Sequence, residues 1–521
     1  MPIAIDIELP AVHPFSGMDV NTALADRVAR FGERRFLVWE SGRGDATTWT
    51  YGEFAEEVER VAASLTERGV EQGDAVLLVL ENSPAFLFCW FACARIGAVA
   101  IDTNTRYAAD ELHHALQLTG AVGAITHEHY LDRITDSGVD LGWVVTIDDD
   151  TGTCPVLHGA SANVPTRFPD PSAPLCVQFT SGTTSRPKAV LFTHANALWG
   201  GRVGAAHARF AADDVVLVYG PLFHTQALSW QTLSTFWVGG TVVLLPKFTA
   251  SRFWDISLRH RCTQTAVLGI MLQTLGDQDV PEHQYRAWQF GMERPELADR
   301  FHVRLFNAWG MTEVVTQAII NDYDFPGDLG AIGRAALEYE VRVAREDGTD
   351  APVGEAGDLL IGGVRGLSIF TEYLNDPVAT TEAFDERGYF RTGDRVMLLP
   401  SGALQFVSRA KDMLKVGGEN VAAGEIERVL LSVPGITSAA VVGRPDRILD
   451  EVGVAFVTVT ADADHDIVIA DALAACAARL ADFKVPRDVY VVDELPESLL
   501  GKVAKAALRD EAIKRVGGER T

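Results

Sequence analysis

Apolar residues in this chain recur in two textures. Short runs rich in Val, Leu, Ile and Phe alternate with longer stretches of helical spacing, and that alternation predicts an α/β fold. Residues 75–81 (AVLLVLE) predict a buried strand. Asn82, Ser83 and Pro84 follow with a polar cap and an early proline, the start signals of a helix. Strand texture returns at Gly97–Ile101 and at Leu175–Phe179. In 215–228 (VVLVYGPLFHTQAL) a strand runs into a loop and then a helix. Strands are also expected in 241–248 (TVVLLPKF), behind Gly239 and Gly240, and in 266–270 (AVLGI) and 303–310 (VRLFNAWG). No repeat of solenoid period is present.

Beyond residue 400 the texture changes. Residues 402–414 (GALQFVSRAKDML) begin as a β-turn and pass into a basic, polar joint. An amphipathic helix (Gly424–Leu431), strands in 438–443 and 453–459, and a helix from Asp466 to Leu480 follow, a βαββα-like unit of the size of one small domain. With the boundary at Arg409–Asp412, the chain divides into a large N-terminal α/β domain with subdomains, 1–408, and a small α+β C-terminal domain, 409–521. The 521 residues exceed what one core usually supports, which agrees with that division.

Composition narrows the class. A hydrophobic fraction of 47 % excludes wholesale disorder. The net charge of −26 repels nucleic acid and anionic membranes, so neither is an expected partner. An anionic ligand must be gathered by local donors instead. The cysteines (Cys89, Cys93, Cys154, Cys176, Cys262, Cys476) are scattered without zinc-type spacing and suit a reducing compartment. MPIAIDIELP lacks the basic start and apolar core of a signal peptide. The most apolar stretch, Ala75–Ile101, is broken by Glu81, Asn82, Ser83, Pro84 and Arg95, so no membrane span is expected. The final Gly-Glu-Arg-Thr is not a peroxisomal tripeptide. The expected location is cytoplasmic, and a homodimer is compatible with the sequence.

Candidate chemistry concentrates in Phe179-Thr-Ser-Gly-Thr-Thr-Ser-Arg-Pro-Lys188. A strand there feeds a loop of hydroxyls and glycine that ends in a lysine. Hydroxyls and bare backbone N–H groups are the donors a polyphosphate needs, and Lys188 adds a point charge. The spacing is not that of a Walker A loop, and a solvated Ser/Thr turn is the plain alternative.

Six segments in fixed order complete the pattern: TSGTTSRPK (180–188), NAWGMTE (307–313), YFRTGD (389–394), SRAKDMLKVGGENV (408–421), GEIE (424–427) and LPESLLGKV (495–503). Over roughly 20–510 the chain resembles the adenylate-forming superfamily of acyl-CoA synthetases, carrier-protein adenylation domains and luciferases. Within it, 362–377 most resembles crotonobetaine/carnitine-type CoA ligases.

The resemblance implies a ligase that uses ATP and Mg²⁺ to form an acyl-adenylate, releases pyrophosphate, and then makes an acyl-CoA thioester from coenzyme A. Thr180, Ser181, Gly182, Thr183, Thr184 and Lys188 resemble the phosphate loop. Glu313 resembles the magnesium-bridging carboxylate, with Thr312 on a phosphate oxygen; a hard carboxylate suits Mg²⁺. Asp394 resembles the acceptor for both ribose hydroxyls, and Arg409 the ribose and phosphate contact. Asn307, Ala308 and Trp309 are expected to wall the adenine. His224 stands at the gate of the acyl pocket, which Trp230, Met271 and Met311 are expected to line. Lys502 resembles the lysine of the first half-reaction, brought in when a mobile C-terminal domain closes, and Lys411 the hinge. Swivelling there would bring Gly417 and Gly418 to the site, where only a bare backbone leaves room for a pantetheine arm.

The chain also departs from the pattern. Ser185 and Ala189 stand where glycine is usual, Leu500-Gly501-Lys502 replaces Ser-Gly-Lys, and Lys505 lies close to Lys502. Trp288-Gln-Phe-Gly-Met-Glu-Arg-Pro295 replaces the Gly-Gly-Ala-Pro adenine loop. The competing functions are an enzyme that loads a carrier protein or activates another oxyanion, and an inactive binding subunit of the same fold. Trp230 and the replaced loop lean toward a flat or bulky acid.

Overall fold

The computed structural model describes the chain apart from positions 1, 6, 43, 108, 148–156, 161–163, 181–187, 268, 277, 322–326, 410–412, 417–418, 447–448, 462, 481, 497–502 and 519–521. It falls into two compact units. Among the described residues, the first draws on Met1–Gly182, Arg186–Val341 and Ile361–Phe390, and the second on Arg342–Leu360 and Arg391–Thr521.

Two large sheets organise the first unit. One has seven strands, in the order Glu372–Tyr373, Ala189–Thr193, Pro174–Phe179, Val99–Asp102, Ala75–Val79, Gly123–His127, Trp143–Ile147. Its central strands are parallel and its first two junctions antiparallel. Parallel strands covered on both faces read as continuous apolar runs, as 75–79 does. The helix that crosses from this strand starts and stops as its residues dictate. The Ser83 side chain caps it by accepting from Phe86 N–H, Pro84 opens its first turn, and Gly97 closes it in the left-handed region at φ 78°.

The other sheet has nine strands, in the order Arg334–Ala335, Gln317–Ile320, Arg304–Gly310, Ala287–Phe290, Gln264–Ala266, Val215–Val218, Thr241–Leu244, Arg35–Glu40, Ala46–Thr50. Here the sequence expectation for 266–270 is corrected. The strand ends at Ala266 and a helix, Gly269–Gly276, begins within the same apolar run. A short apolar run bounded by glycine does not by itself separate a strand from a buried helix start.

Polar side chains stitch these layers together. Asn82 Nδ2 donates to the carbonyls of Gly220 (2.8 Å) and Leu245 (3.1 Å), while its Oδ1 accepts from Leu222 N–H at 2.8 Å. Buried Glu40 accepts from Arg252, Arg259 and His260 and so ties its strand to the helix Ala250–His260. The aromatic cluster behind the nine-stranded sheet centres on Trp288, with Phe301 at 5.0 Å and Tyr285 at 5.5 Å between ring centroids.

The second unit begins earlier along the chain than the joint read from the sequence. A four-stranded sheet, in the order Glu340–Ala344, Ala356–Gly362, Phe390–Leu398, Leu404–Arg409, supplies its first layer. A five-stranded sheet follows, built from Glu419–Ala422, Met413–Val416, Asp450–Val459 and Ile436–Asp446, with Asp488–Val491 added parallel to Asp450–Val459. The helices Ala423–Leu430 and His465–Arg479 fall within a residue of their expected positions. The described cysteines (Cys89, Cys93, Cys176, Cys262 and Cys476) are free and buried. Among the described residues no helix is long and apolar enough to cross a membrane.

Trp288→Ala removes the centre of the aromatic cluster and leaves a cavity that its packed neighbours cannot fill. The expected loss is about 3–5 kcal/mol, read from the denaturant midpoint; a midpoint at the wild-type value would refute it.

Candidate active site

The hydroxyl-rich segment lies between two paired strands. Phe179 stands opposite Ala189 in the antiparallel ladder, and Thr180 N–H donates to the Lys188 carbonyl at 3.0 Å. The ends of the loop are therefore fixed. Ser181, Gly182, Thr183 and Thr184, and with them Ser185, lie outside the described residues. Ala189, where glycine was the usual residue, is buried in its strand and is not among the residues of positive φ, so alanine introduces no strain.

The next strand along this edge supplies a residue the sequence did not announce. Glu372–Tyr373 pairs antiparallel with Ala189–Thr193, Tyr373 opposite Val190. That register brings the Tyr373 ring beneath exposed Lys188, whose Nζ lies 4.4 Å from the ring centroid, in cation–π range. The phenol of Tyr373 donates to Glu313 Oε1 at 2.8 Å. Lys188, Tyr373 and Glu313 thus form one row of cation, ring and carboxylate. Burial, together with the charge and hydrogen bond of Glu313, raises the Tyr373 phenol far above its usual pKa, so it remains a donor at any physiological pH. Sequence alone pointed to this segment only as a subgroup likeness. The pairing across almost two hundred positions had no local signal.

Glu313 itself is buried, on a single 3₁₀ turn, Thr312–Val314, that follows the strand Arg304–Gly310. Its carbonyl accepts from Phe370 N–H at 2.8 Å. Immediately after it, buried Val315 sits at φ 67°, ψ −49°, and Thr316 N–H reaches back to the Val314 carbonyl at 2.7 Å. This is a γ-turn in the mirror conformation that a β-branched residue rarely adopts, at a cost of about 1–3 kcal/mol. Ser229 Oγ and Trp230 Nε1 both donate to the Val315 carbonyl, each at 3.2 Å, and hold the turn. They come from Gln226–Leu233, a π-helical stretch of the kind that gathers at functional sites.

Trp230, expected as a pocket lining, has a structural part here. It is almost wholly buried, its indole N–H is committed to Val315, and its ring approaches within 2.6 Å of where a Cβ on Gly310 would stand. Only glycine fits there. Met311 and His224 are partly exposed. The ring of His224 lies 4.6 Å from that of Phe223, and its carbonyl accepts from Leu228 N–H at 3.1 Å.

Of the three residues expected to wall the adenine, Ala308 and Trp309 are partly exposed, but Asn307 is buried completely. The reason is Glu293, whose carboxylate takes up the Asn307 amide. The Asn307 side chain is engaged by Glu293 and is not exposed as Ala308 and Trp309 are.

In the second unit, buried Asp394 follows Gly393, which adopts φ 72°, and stands opposite Arg409 in the antiparallel pair. The two residues expected at the ribose are cross-strand partners. Lys411, Gly417, Gly418 and Lys502 lie outside the described residues. Lys505 is described: its Nζ pairs with Glu427 Oε1 at 2.8 Å, and the same oxygen accepts from Val441 N–H. Among the described residues no group of three or more His, Cys, Asp or Glu side chains could hold a metal.

Residues 24–374 match the AMP-binding enzyme family, and residues 425–502 match the AMP-binding enzyme C-terminal domain. The crotonobetaine/carnitine–CoA ligase of Salmonella typhimurium is 32 % identical to this chain over 95 % of it and 99 % of the relative. Among solved structures, ATP-bound MatB from Rhodopseudomonas palustris superposes with a TM-score of 0.85 at 26 % identity, covering 95 % of this chain and 99 % of that one. The O-succinylbenzoate coenzyme A synthetase (MenE) of Bacillus subtilis, in complex with AMP, gives 0.81 at 25 % identity, covering 94 % and 98 %.

Tyr373→Phe keeps a ring beneath Lys188 but deprives a buried carboxylate of a donor. The denaturation midpoint should fall by the equivalent of about 1–3 kcal/mol; an unchanged midpoint would show that Glu313 does not depend on the phenol.

Proposed function

The chain belongs to the AMP-binding enzyme family and is an ATP-dependent carboxylic acid:CoA ligase, and from that premise we propose how its residues divide the reaction. The carrying observation is the row of Lys188, Tyr373 and Glu313 beside the fixed ends of the hydroxyl-rich loop. It sets a cation over the face of one ring and a buried carboxylate at that ring's hydroxyl, and a metal–polyphosphate needs both.

In the first half-reaction a carboxylate oxygen of the acid attacks the α-phosphorus of ATP. The bond to pyrophosphate breaks and an acyl-adenylate forms. Thr180, Ser181, Gly182, Thr183 and Thr184 supply loop donors to the phosphates, and Lys188 offsets their charge. Glu313, with Thr312 beside it, would hold Mg²⁺. The donor type fits: a buried hard carboxylate is the ligand that Mg²⁺ takes. Bound there, the ion would neutralise charge on the phosphate oxygens. The Tyr373 phenol orients the Glu313 carboxylate. Asp394 accepts both ribose hydroxyls, Arg409 contacts ribose and phosphate, and Ala308 and Trp309 flank the base.

Lys502 neutralises the charge that develops between the carboxylate and the α-phosphate. The ion pair of Lys505 with Glu427 supports this choice between the two nearby lysines, since it commits Lys505 elsewhere. Lys411 is the hinge of a C-terminal domain, 409–521, which swings to exchange Lys502 for Gly417 and Gly418. The thiol of CoA then attacks the acyl carbon, AMP leaves, and the thioester forms. The acid is read as flat or bulky, a choice that rests on Trp230 and on the segment Trp288–Pro295 that stands in place of the Gly-Gly-Ala-Pro loop. The buried free cysteines support a reducing, cytoplasmic location.

Acid-dependent ATP–pyrophosphate exchange over a panel of aliphatic, aromatic and betaine acids, followed by CoA addition, tests the reaction and its substrate. Exchange followed by thioester is expected, best with flat or bulky acids. Exchange without thioester would transfer the reading to carrier loading, and a preference for long straight-chain acids would remove the substrate class. Lys502→Ala should lose adenylation by a factor of about a hundred or more yet still convert supplied acyl-adenylate to thioester. Equal loss of both half-reactions would exclude the assigned role.

A further inference from the structure

Glu293 lies in the segment that replaces the Gly-Gly-Ala-Pro loop, between the strand Ala287–Phe290 and the helix Pro295–Phe301. Its backbone is fixed in both directions. Its N–H donates to the Ala331 carbonyl at 3.1 Å, and its carbonyl accepts from Gly330 N–H at 3.3 Å. One carboxylate oxygen, Oε2, accepts from the side-chain amides of both Asn307 and Asn321. The Gly327 backbone N–H donates to the carboxylate as well. Burial pushes the Glu293 carboxyl upward, and the hydrogen bonds from Asn307, Gly327 and Asn321 oppose that rise.

The two asparagines are neighbours across a strand pair. Asn321 N–H donates to the Asn307 carbonyl at 2.8 Å, next to the register that sets Ala308 opposite Ile320 and Trp309 opposite Ile319. Asn307 directly precedes the Ala308–Trp309 wall, and Asn321 directly follows the strand that backs it. Because a carboxylate only accepts, it dictates that each amide presents its nitrogen to Glu293. The amide oxygens of both asparagines are buried and accept no hydrogen bond among the described residues. Buried amides arranged in this way depend on their one shared partner.

We propose that Glu293 is a positioning residue for the nucleotide: its carboxylate clasps Asn307 and Asn321 together and so sets the Ala308–Trp309 wall against which the base of ATP packs. The inference rests on the assignment of that wall in the ligase reaction. A base held by a rigid wall is bound through contacts made equally in ground and transition states. Loss of the clasp therefore acts on the affinity for ATP and leaves the acid site and the chemical step alone.

Steady-state kinetics of the full chain with ATP, Mg²⁺ and the best acid from the panel test it. Glu293→Ala should raise KM for ATP about tenfold or more, the loss of one hydrogen bond to a charged group, with kcat and KM for the acid changed less than about twofold. Glu293→Gln keeps an oxygen that both amides can share and should recover most of the affinity. Asn307→Ala in the Glu293→Ala background should raise KM for ATP little further, because the partners act as one unit. If Glu293→Ala does not fold, Glu293→Asp carries the same test, since the shorter arm withdraws the carboxylate from both amides. The proposal is overturned if KM for ATP stays within about twofold of wild type, if KM for the acid rises in the same proportion, if Gln is as poor as Ala, or if the double variant is additive. A wild-type protein without acid-dependent exchange would instead overturn the ligase assignment itself.

Discussion

A carboxylate buried at the end of a strand must be hydrogen-bonded or it will not stay charged, and Glu313 is such a group. Much of the neighbouring structure answers that requirement. The short strand Glu372–Tyr373 docks against Ala189–Thr193 and delivers the phenol to Glu313. The same ring receives Lys188 on its face. A two-residue strand contributes little pairing energy of its own. Its importance is that it sets one aromatic ring beneath Lys188 and its hydroxyl against Glu313, two residues remote in sequence.

The turn that follows Glu313 shows the cost of this placement. Val315 occupies a conformation that a β-branched residue avoids, and the two donors from the π-helical stretch over-determine it. Both the irregular helix and the irregular turn depart from ideal geometry at the same point. Trp230 meets both Gly310 and the Val315 carbonyl at that point, two residues from Glu313.

Other acids in the chain are satisfied by the same means with different partners. Glu40 takes cations from a helix, whereas Glu293 takes amides from paired strands. The charged partners fasten one layer to another. The neutral partners fix a local shape and meet the carboxylate through hydrogen bonds alone.

The alternation of apolar runs with helical stretches was enough to indicate the α/β class, and local signals placed elements well where they were strong. Ser83, Pro84 and Gly97 framed a helix because capping and breaking are properties of single residues. Glu313, Asp394 and Lys188 stood out as candidates because their residue types and order are tied to one chemistry. Where a run was short, as at 266–270, strand and helix start could not be told apart. Tyr373, the tied indole of Trp230, the burial of Asn307 and the clasp of Glu293 were settled only by the tertiary structure. Each depends on two segments far apart in the chain meeting in one register, and the free energy that selects a register is that of the assembled sheet. Composition and spacing thus determined what chemistry the chain could hold; packing decided which side chains hold it in place.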